Sequence, residues 1–244
     1  MFRLLLLLLV LAGPVAGETA PAEMCSTGAF GPRHCIREDS FAADVCAQID
    51  AEARLHDLPP AFLARLLWQE SRFDPQAVSP KRAMGIAQFI ASTARLRGLE
   101  DPFNPAEAIE KSAEYLGEMT RVYGNVGLAA IGYNGGESRV QGFMAGTGGL
   151  ARETVDYVQI VTGHSAEAWR DAPPAGETFA LDAASDFRPA CEAMATARRV
   201  SPLGPAPTMV SAWGVQVGYG RTRAAARASF NRLTRSCRAQ APAG

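Results

Sequence analysis

Residues 39–162 place their apolar side chains at three- and four-residue intervals, and proline, glycine and asparagine interrupt the pattern at each end of a run. That spacing puts side chains on one face of a helix and is incompatible with the two-residue period of a strand. The clearest unit begins at Asn104-Pro105-Ala106-Glu107. Asparagine caps, proline suits a first helical position, and a glutamate follows three residues after the cap. Ile109, Ala113, Leu116, Met119 and Tyr123 form its stripe, and Gly124 is placed to end it. An earlier helix starts at Asp39 or Ser40 as cap and carries Phe41, Val45, Ile49 and Ala53 to about His56. The next enters through Leu58-Pro59-Pro60 and runs over Phe62, Leu63, Leu66 and Leu67 to about Phe73, where Asp74 before Pro75 disfavours helical backbone. Shorter helices are expected over 126–133 and 153–161. The body is therefore expected to be all-α.

The flanks differ from this body. Arg3, the apolar run 4–12, Pro14 and Val15-Ala16-Gly17 have the layout of an export signal over 1–17, with an apolar stretch too short to span a bilayer. Residues 18–38 lack periodicity and read as an extended arm. Asp171-Ala172-Pro173-Pro174-Ala175-Gly176 has linker composition, which sets boundaries at 39–165 for the helical domain, 166–185 for a linker and 186–244 for a small C-terminal region. There, 187–199 is a candidate helix. Trp213, Val215 and Val217 alternate as in a half-buried strand, and 222–233 is rich in alanine and arginine. No acidic residue follows Glu192, whereas eight arginines lie between Arg198 and Arg238. The net charge of −1 gives the chain no overall bias toward nucleic acid.

Export implies an oxidising compartment and disulfides among Cys25, Cys35, Cys46, Cys191 and Cys237. Cys191 with Cys237 is an attractive pair, leaving two of the other three to join and one free; spacing alone does not settle connectivity. A metal site is not expected. There is no Cys-x-x-Cys, and His34, His56 and His164 are scattered.

Glu70 is the carboxylate that stands out. Leu63, Leu66 and Leu67 lie seven, four and three residues before it, so Glu70 extends an apolar stripe and is not grouped with Arg65 and Arg72 on the polar face. A carboxyl at the edge of an apolar face loses hydration, its pKa rises, and it becomes a proton donor near neutral pH. Other chemistries lack their signatures: there is no Gly-x-Ser-x-Gly, no His-Glu-x-x-His and no phosphate-binding loop. Gly146-Thr147-Gly148-Gly149 lacks a following lysine and reads as a flexible loop bordering a cleft.

Five segments around Glu70 resemble, in order and spacing, the motifs of the soluble lytic transglycosylases, a lysozyme-like family. They are Gln69-Glu70-Ser71-Arg72-Phe73-Asp74; Gly85-Ile86-Ala87-Gln88-Phe89 with Ser92-Thr93-Ala94; Asp101-Pro102-Phe103-Asn104-Pro105; Ala129-Ala130-Ile131-Gly132-Tyr133-Asn134-Gly135-Gly136; and Glu153-Thr154-Val155-Asp156-Tyr157-Val158. Ile86-Ala87 stands where the family commonly has Leu-Met, which bears on subsites more than on chemistry. The resemblance implies a lysozyme-like helical domain that cleaves peptidoglycan strands without water, with Glu70 as the single acid/base and no cofactor. It implies that Ser71 bonds near Glu70 or the substrate and that Gln88 reaches into the cleft. It also implies that Tyr133 and Asn134 hold N-acetyl groups and help orient Glu70, and that Tyr157 bonds in the catalytic pocket. A goose-type lysozyme-like hydrolase would need a second carboxylate, for which Asp74, Glu153 and Asp156 are candidates. A wall-binding or secretion-accessory protein, recruiting an envelope partner, is the reading from a different class. The Trp213-Gly214-Val215-Gln216-Val217 strand and following helix resemble the opening of a SPOR-type peptidoglycan-binding domain, making the C-terminal region a small α+β appendage. A monomer, periplasmic or secreted, is expected.

Overall fold

The computed structural model describes residues 22–204 and positions 222, 224, 227, 228 and 231. Contacts divide the chain into 1–206 and 207–244. The expected export signal and the strand at Trp213 lie outside the described residues; of the second unit, Ala224, Arg227, Ala228 and Asn231 are helical.

The first unit is built of helices: α1 Phe41–Leu55, α2 Pro60–Ser71, α3 Ala91–Leu96, α4 Pro105–Tyr123, α5 Val126–Gly135, α6 Glu137–Met144, α7 Arg152–Thr162, α8 Ala166–Asp171 and α9 Phe187–Thr196. They are preceded by an antiparallel pair, β1 Glu23–Cys25 and β2 Cys35–Arg37, with Met24 opposite Ile36. The arm expected to be extended is thus folded back on itself. Its turn is pinned to α4, where the Glu110 carboxylate accepts hydrogen bonds from the backbone N–H of Thr27 and Ala29, both 3.1 Å, and from the Thr27 hydroxyl.

α5 is the centre of the body. Residues Gly127–Gly132 of this helix are all buried, and α4, α6, α7 and α8 pack around it, as expected of a helix that is apolar on every side. Small residues permit this crowding. A Cβ on Gly127 would lie 2.0 Å from the Trp169 ring, so that position admits only glycine. Trp169 is fixed by its indole N–H donating to the Thr162 hydroxyl at 2.8 Å. Asn125 caps α5 through Leu128 N–H and donates to the Trp169 carbonyl. α2 packs between α1 and α7, which sets the end of α2 beside Tyr157 in the middle of α7.

Several local expectations change. Ser40 precedes α1 but gives it no side-chain cap; its hydroxyl donates to Asp44, at 2.7 Å. α2 ends at Ser71, before the Asp74-Pro75 stop, because Arg72 and Phe73 both turn left-handed, at φ 56° and 61°. α8 occupies the first residues of the expected 166–185 linker, and Phe179, further along it, is buried against Phe62 and Trp169. The Cys191–Cys237 pairing does not form: Cys191 is bonded to Cys46, which ties α9 to α1, and Cys25 is bonded to Cys35 across the β pair. Connectivity follows tertiary packing, and α9 docks on α1, where Cys46 is buried. No helix among the described residues is long and apolar enough to cross a membrane.

Candidate active site

The last turn of α2 delivers Gln69 and Glu70 to the floor of a cleft of about 700 Å³. The left-handed pair Arg72-Phe73 then reverses the chain. Phe73 is fully buried, edge-on to Trp68 at 5.3 Å, and this anchors the reversal. The loop 77–90 therefore returns over the helix end and forms one wall.

Three of the candidate residues hold that loop. The Ser71 hydroxyl donates to the Ile86 carbonyl at 2.7 Å, and the Tyr133 hydroxyl donates to the Ala87 carbonyl at 2.7 Å. Gln88 adopts a left-handed φ of 51°, and its amide nitrogen donates to Gly85 and Ala77 carbonyls at 2.9 and 3.2 Å. Gln88 lines the cleft, and its amide oxygen has no protein partner among the described residues. The loop is also seated from behind. Gly85 has φ +70°, and a Cβ there would lie 1.8 Å from the Pro102 carbonyl oxygen. The Gly85 and Asp101-Pro102 segments are thus in backbone contact, which is the physical reason for a glycine at this point.

The opposite wall comes from α7. The Tyr157 hydroxyl donates to Glu70 Oε1 at 2.6 Å. The Thr154 hydroxyl donates to Asn134 Oδ1 at 2.8 Å, fixing the asparagine side chain at the end of α5. Tyr133 sits between Phe89 and Tyr115, with ring centroids 5.9 Å from each. Glu70, Gln88, Tyr133, Asn134 and Tyr157 all line the cleft. Ser71 lies just behind it.

Burial raises the Glu70 carboxyl to about 7; the charge of Glu153 adds to this, and the hydrogen bond from Tyr157 opposes it. The Tyr133 and Tyr157 phenols are pushed well up by burial and by the neighbouring Glu70, so both stay protonated and remain donors. Near neutral pH, Glu70 thus exists in both protonation states, as a group must if it is to give and then take a proton.

The remaining carboxylates are placed differently. Asp74 is outside the cleft lining; it accepts from Gln76 N–H and the Ser201 hydroxyl and pairs with Arg198 at 3.6 Å. Glu153 and Asp156 line the cleft but are exposed on its rim. Glu153 is paired with Lys81 at 2.6 Å, linking the loop wall to α7, and Asp156 faces Arg152 at 3.6 Å. The one group of three possible metal-ligating side chains among the described residues, Glu23, Cys25 and Cys35, has its two sulfurs joined to each other.

Tyr115 is a cleft residue that periodicity passed over. Its hydroxyl donates to Glu137 at 3.0 Å, and the Arg97 guanidinium lies 3.9 Å from its ring centre. Arg97 also pairs with Glu114, Glu118 and Glu137. The available signal was an aromatic at three and four residues from Ser112 and Met119 on the same helix, beside the apolar stripe.

A helical body that holds one partly sheltered carboxylic acid at a cleft floor is an arrangement able to give and take a proton. Residues 48–154 match the family described as the transglycosylase SLT domain. Over 91 residues the chain is 31% identical to the transglycosylase of Enterobacteria phage PRD1, covering 37% of this chain and 34% of that protein. Over 71 residues it is 38% identical to the membrane-bound lytic murein transglycosylase F 2 of Alkalilimnicola ehrlichii, covering 29% and 15%. Among solved structures it is similar to an inactive mutant of the lytic transglycosylase Slt from Pseudomonas aeruginosa, at 27% identity and a TM-score of 0.43, covering 48% of this chain and 22% of that one. The chain thus spans about a third or less of the length of these relatives.

Proposed function

We propose that this chain is a peptidoglycan lytic transglycosylase with Glu70 as its acid and base. One observation carries the reading: a carboxyl raised to about 7 by burial sits at the floor of a 700 Å³ cleft, with the other cleft carboxylates exposed on the rim. Protonated Glu70 gives its proton to the glycosidic oxygen between N-acetylmuramic acid and N-acetylglucosamine, and the C1–O bond breaks. Glu70, now a carboxylate, accepts the proton of the muramic 6-hydroxyl as that oxygen bonds to C1. The product is a 1,6-anhydro ring; no water enters, and Glu70 ends protonated as it began. Tyr157 holds one carboxylate oxygen throughout and stabilises the charged form between the two transfers. Asn134, fixed by Thr154, and the free amide oxygen of Gln88 are placed to bond sugar N-acetyl groups. Ser71 and Tyr133 act by holding the loop wall.

A lysozyme-type hydrolysis would need a second carboxylate to activate water, and Asp74, already committed to Ser201 and Arg198, is poorly placed for it. Sequence and chemistry also support action outside the cytoplasm, given the signal-like residues 1–17 and two disulfides.

Mass spectrometry of the muropeptides released from purified peptidoglycan tests the reading. Products lighter by one water, reduced by more than about 10³-fold in Glu70→Gln, are expected. Reducing-end products would instead make the protein a hydrolase, and no products from a folded protein would favour a wall-binding role.

A further inference from the structure

Gln48, Glu52 and His56 follow one another at four-residue intervals along α1 and so share one face of it. That face is turned to α4, and the two helices meet closely there. A Cβ on Gly117 would lie 2.8 Å from the His56 Cβ and 2.9 Å from its carbonyl oxygen. Gln48 and Glu52 are buried, and the His56 side chain is largely so. Each of the three carries an atom with no hydrogen-bond partner among the described residues. Gln48 gives its amide nitrogen to the Ala106 carbonyl at 2.7 Å, but its oxygen finds no donor. Glu52 Oε2 and His56 Nε2 are also without partners, and at 4.0 Å they are too far apart to serve one another. A polar group left unpaired in the interior is costly, and an unpaired charge more so.

The turn of the N-terminal hairpin roofs this cluster. Thr27 and Ala29 bond to Glu110, as described above. Phe30 lies edge-on to His56, with ring centroids 5.5 Å apart, and the Lys111 ammonium lies 4.8 Å from the centre of the Phe30 ring. Gly31 abuts α1, where a Cβ would lie 2.8 Å from Leu55 Cδ2. Glu110 is thus both the anchor of the turn and the charge that acts on Glu52. Nothing nearby offsets a negative Glu52. The turn residues 27–31 include no titratable side chain. Burial and Arg121 of α4 hold the His56 imidazole below its ordinary range, against Asp57 and Glu110. Charged groups elsewhere on α1 and on its other neighbours are engaged: Asp50 with Arg54, Arg37 of β2 with Asp44, Arg65 of α2 with the Ile160 carbonyl, and Arg188 of α9 with Glu192. Glu70 of α2 faces the cleft. Burial and Glu110 accordingly raise the Glu52 carboxyl from 4.5 to about 7, with Gln48 opposing.

We propose that the N-terminal hairpin is a pH-gated latch: ionisation of Glu52 lifts residues 27–31 off α1 and α4 and lets water reach the carboxylate. The closed latch holds Glu52 as a neutral acid, and the open one hydrates its charged form. The sign follows from the two values. A carboxyl at about 7 when covered and 4.5 when hydrated makes opening more favourable by about tenfold per pH unit as pH rises between them. The latch is separate from the cleft, since neither Glu52 nor the hairpin lines it.

Hydrogen exchange of the Thr27 and Ala29 amides in the full chain, divided by the intrinsic rate at each pH, reads the latch. Protection of both is expected to fall by at least about tenfold from pH 5 to pH 7, while staying below that of the Ala130 and Ile131 amides inside α5, the mark of local opening. Glu52→Gln keeps the shape of the side chain without its charge, and Glu52→Met replaces it with an apolar chain of similar length. Each should leave the two amides equally protected at both pH values. Constant protection in the unmodified protein, a fall that persists in whichever variant folds, or equal protection of the hairpin and α5 overturns the proposal.

Discussion

A raised carboxyl is not by itself a catalytic one, and this chain raises both Glu52 and Glu70 to about 7. Burial and the nearby Glu110 raise Glu52 to about 7, yet Glu52 lies in the interior between α1 and α4, with one oxygen unpartnered and His56 Nε2 4.0 Å away. Glu70 has a similar value and stands in a cleft with a fixed donor beside it. Location is therefore what favours Glu70 over Glu52 for the proposed role. The pH consequences have a definite sign. In the proposed mechanism the acid form starts the reaction, so activity is expected to fall as pH rises through about 7. Stability follows the same direction: a carboxyl raised in the folded state contributes most below its unfolded value and loses that contribution as pH rises through the folded one. Glu70→Gln is accordingly expected to melt higher than the unmodified protein at pH 8 and not at pH 4, in paired thermal scans. Tyr157 opposes the rise, so Tyr157→Phe should move the alkaline limb of the activity profile to higher pH. The loss of one charge-assisted hydrogen bond should also lower kcat by roughly tenfold to a hundredfold. A kcat loss with an unmoved limb would show that Tyr157 acts on substrate and not on Glu70.

At the scale of elements, termini with strong chemistry behaved as their residues dictate. Asn104 accepts from Ala106 and Glu107 N–H, Pro105 opens α4, and Gly124 closes it at φ 90°. The glutamate at the third position does something other than cap: its carboxylate accepts from Glu100 and Asp101 N–H and so fastens the preceding loop. Asn104 has a further task, donating from its amide to the Cys25 carbonyl at 2.9 Å. Asn104→Ala is expected to cost about 1–2 kcal/mol in a urea titration. α3 and α8, at six residues, and α6, at eight, escaped notice because a period needs more than two turns to register, and Gly136 and Gly146 around α6 look like loop. In the site, the place of Glu70 on its stripe was legible, since that depends on spacing within one helix. The parts played by Ser71, Gln88 and Tyr133 were not. Their partners are the carbonyls of Ile86, Ala77, Gly85 and Ala87, and spacing carries no information about which carbonyls a reversal will present.

For the whole molecule, the two disulfides differ in reach. Cys25–Cys35 closes a separation of 10 residues within one hairpin, whereas Cys46–Cys191 spans 145 and joins the first helix to the last of the described body. Loop-closure entropy grows with the length enclosed, so the long bridge contributes more to stability. It also bears on the site. Beyond α9 the chain runs on to the turn that follows α2, where Arg198 and Ser201 hold Asp74 and the Gly204 carbonyl accepts from Gln76. The helix that presents Glu70 is thus braced by a segment kept in place from the far side of the body. Replacing Cys46 and Cys191 together with serine should cost about 2–5 kcal/mol. Activity at temperatures well below the melt should fall with it, because the brace is loosened before the fold is lost. The corresponding Cys25 and Cys35 double variant should lose less stability and keep its activity. Urea midpoints and muropeptide release, measured side by side for both double variants, separate the two effects. If the long bridge proves costly to stability while the Glu70 chemistry runs at full rate, the brace from the C-terminal segment is not needed to hold α2.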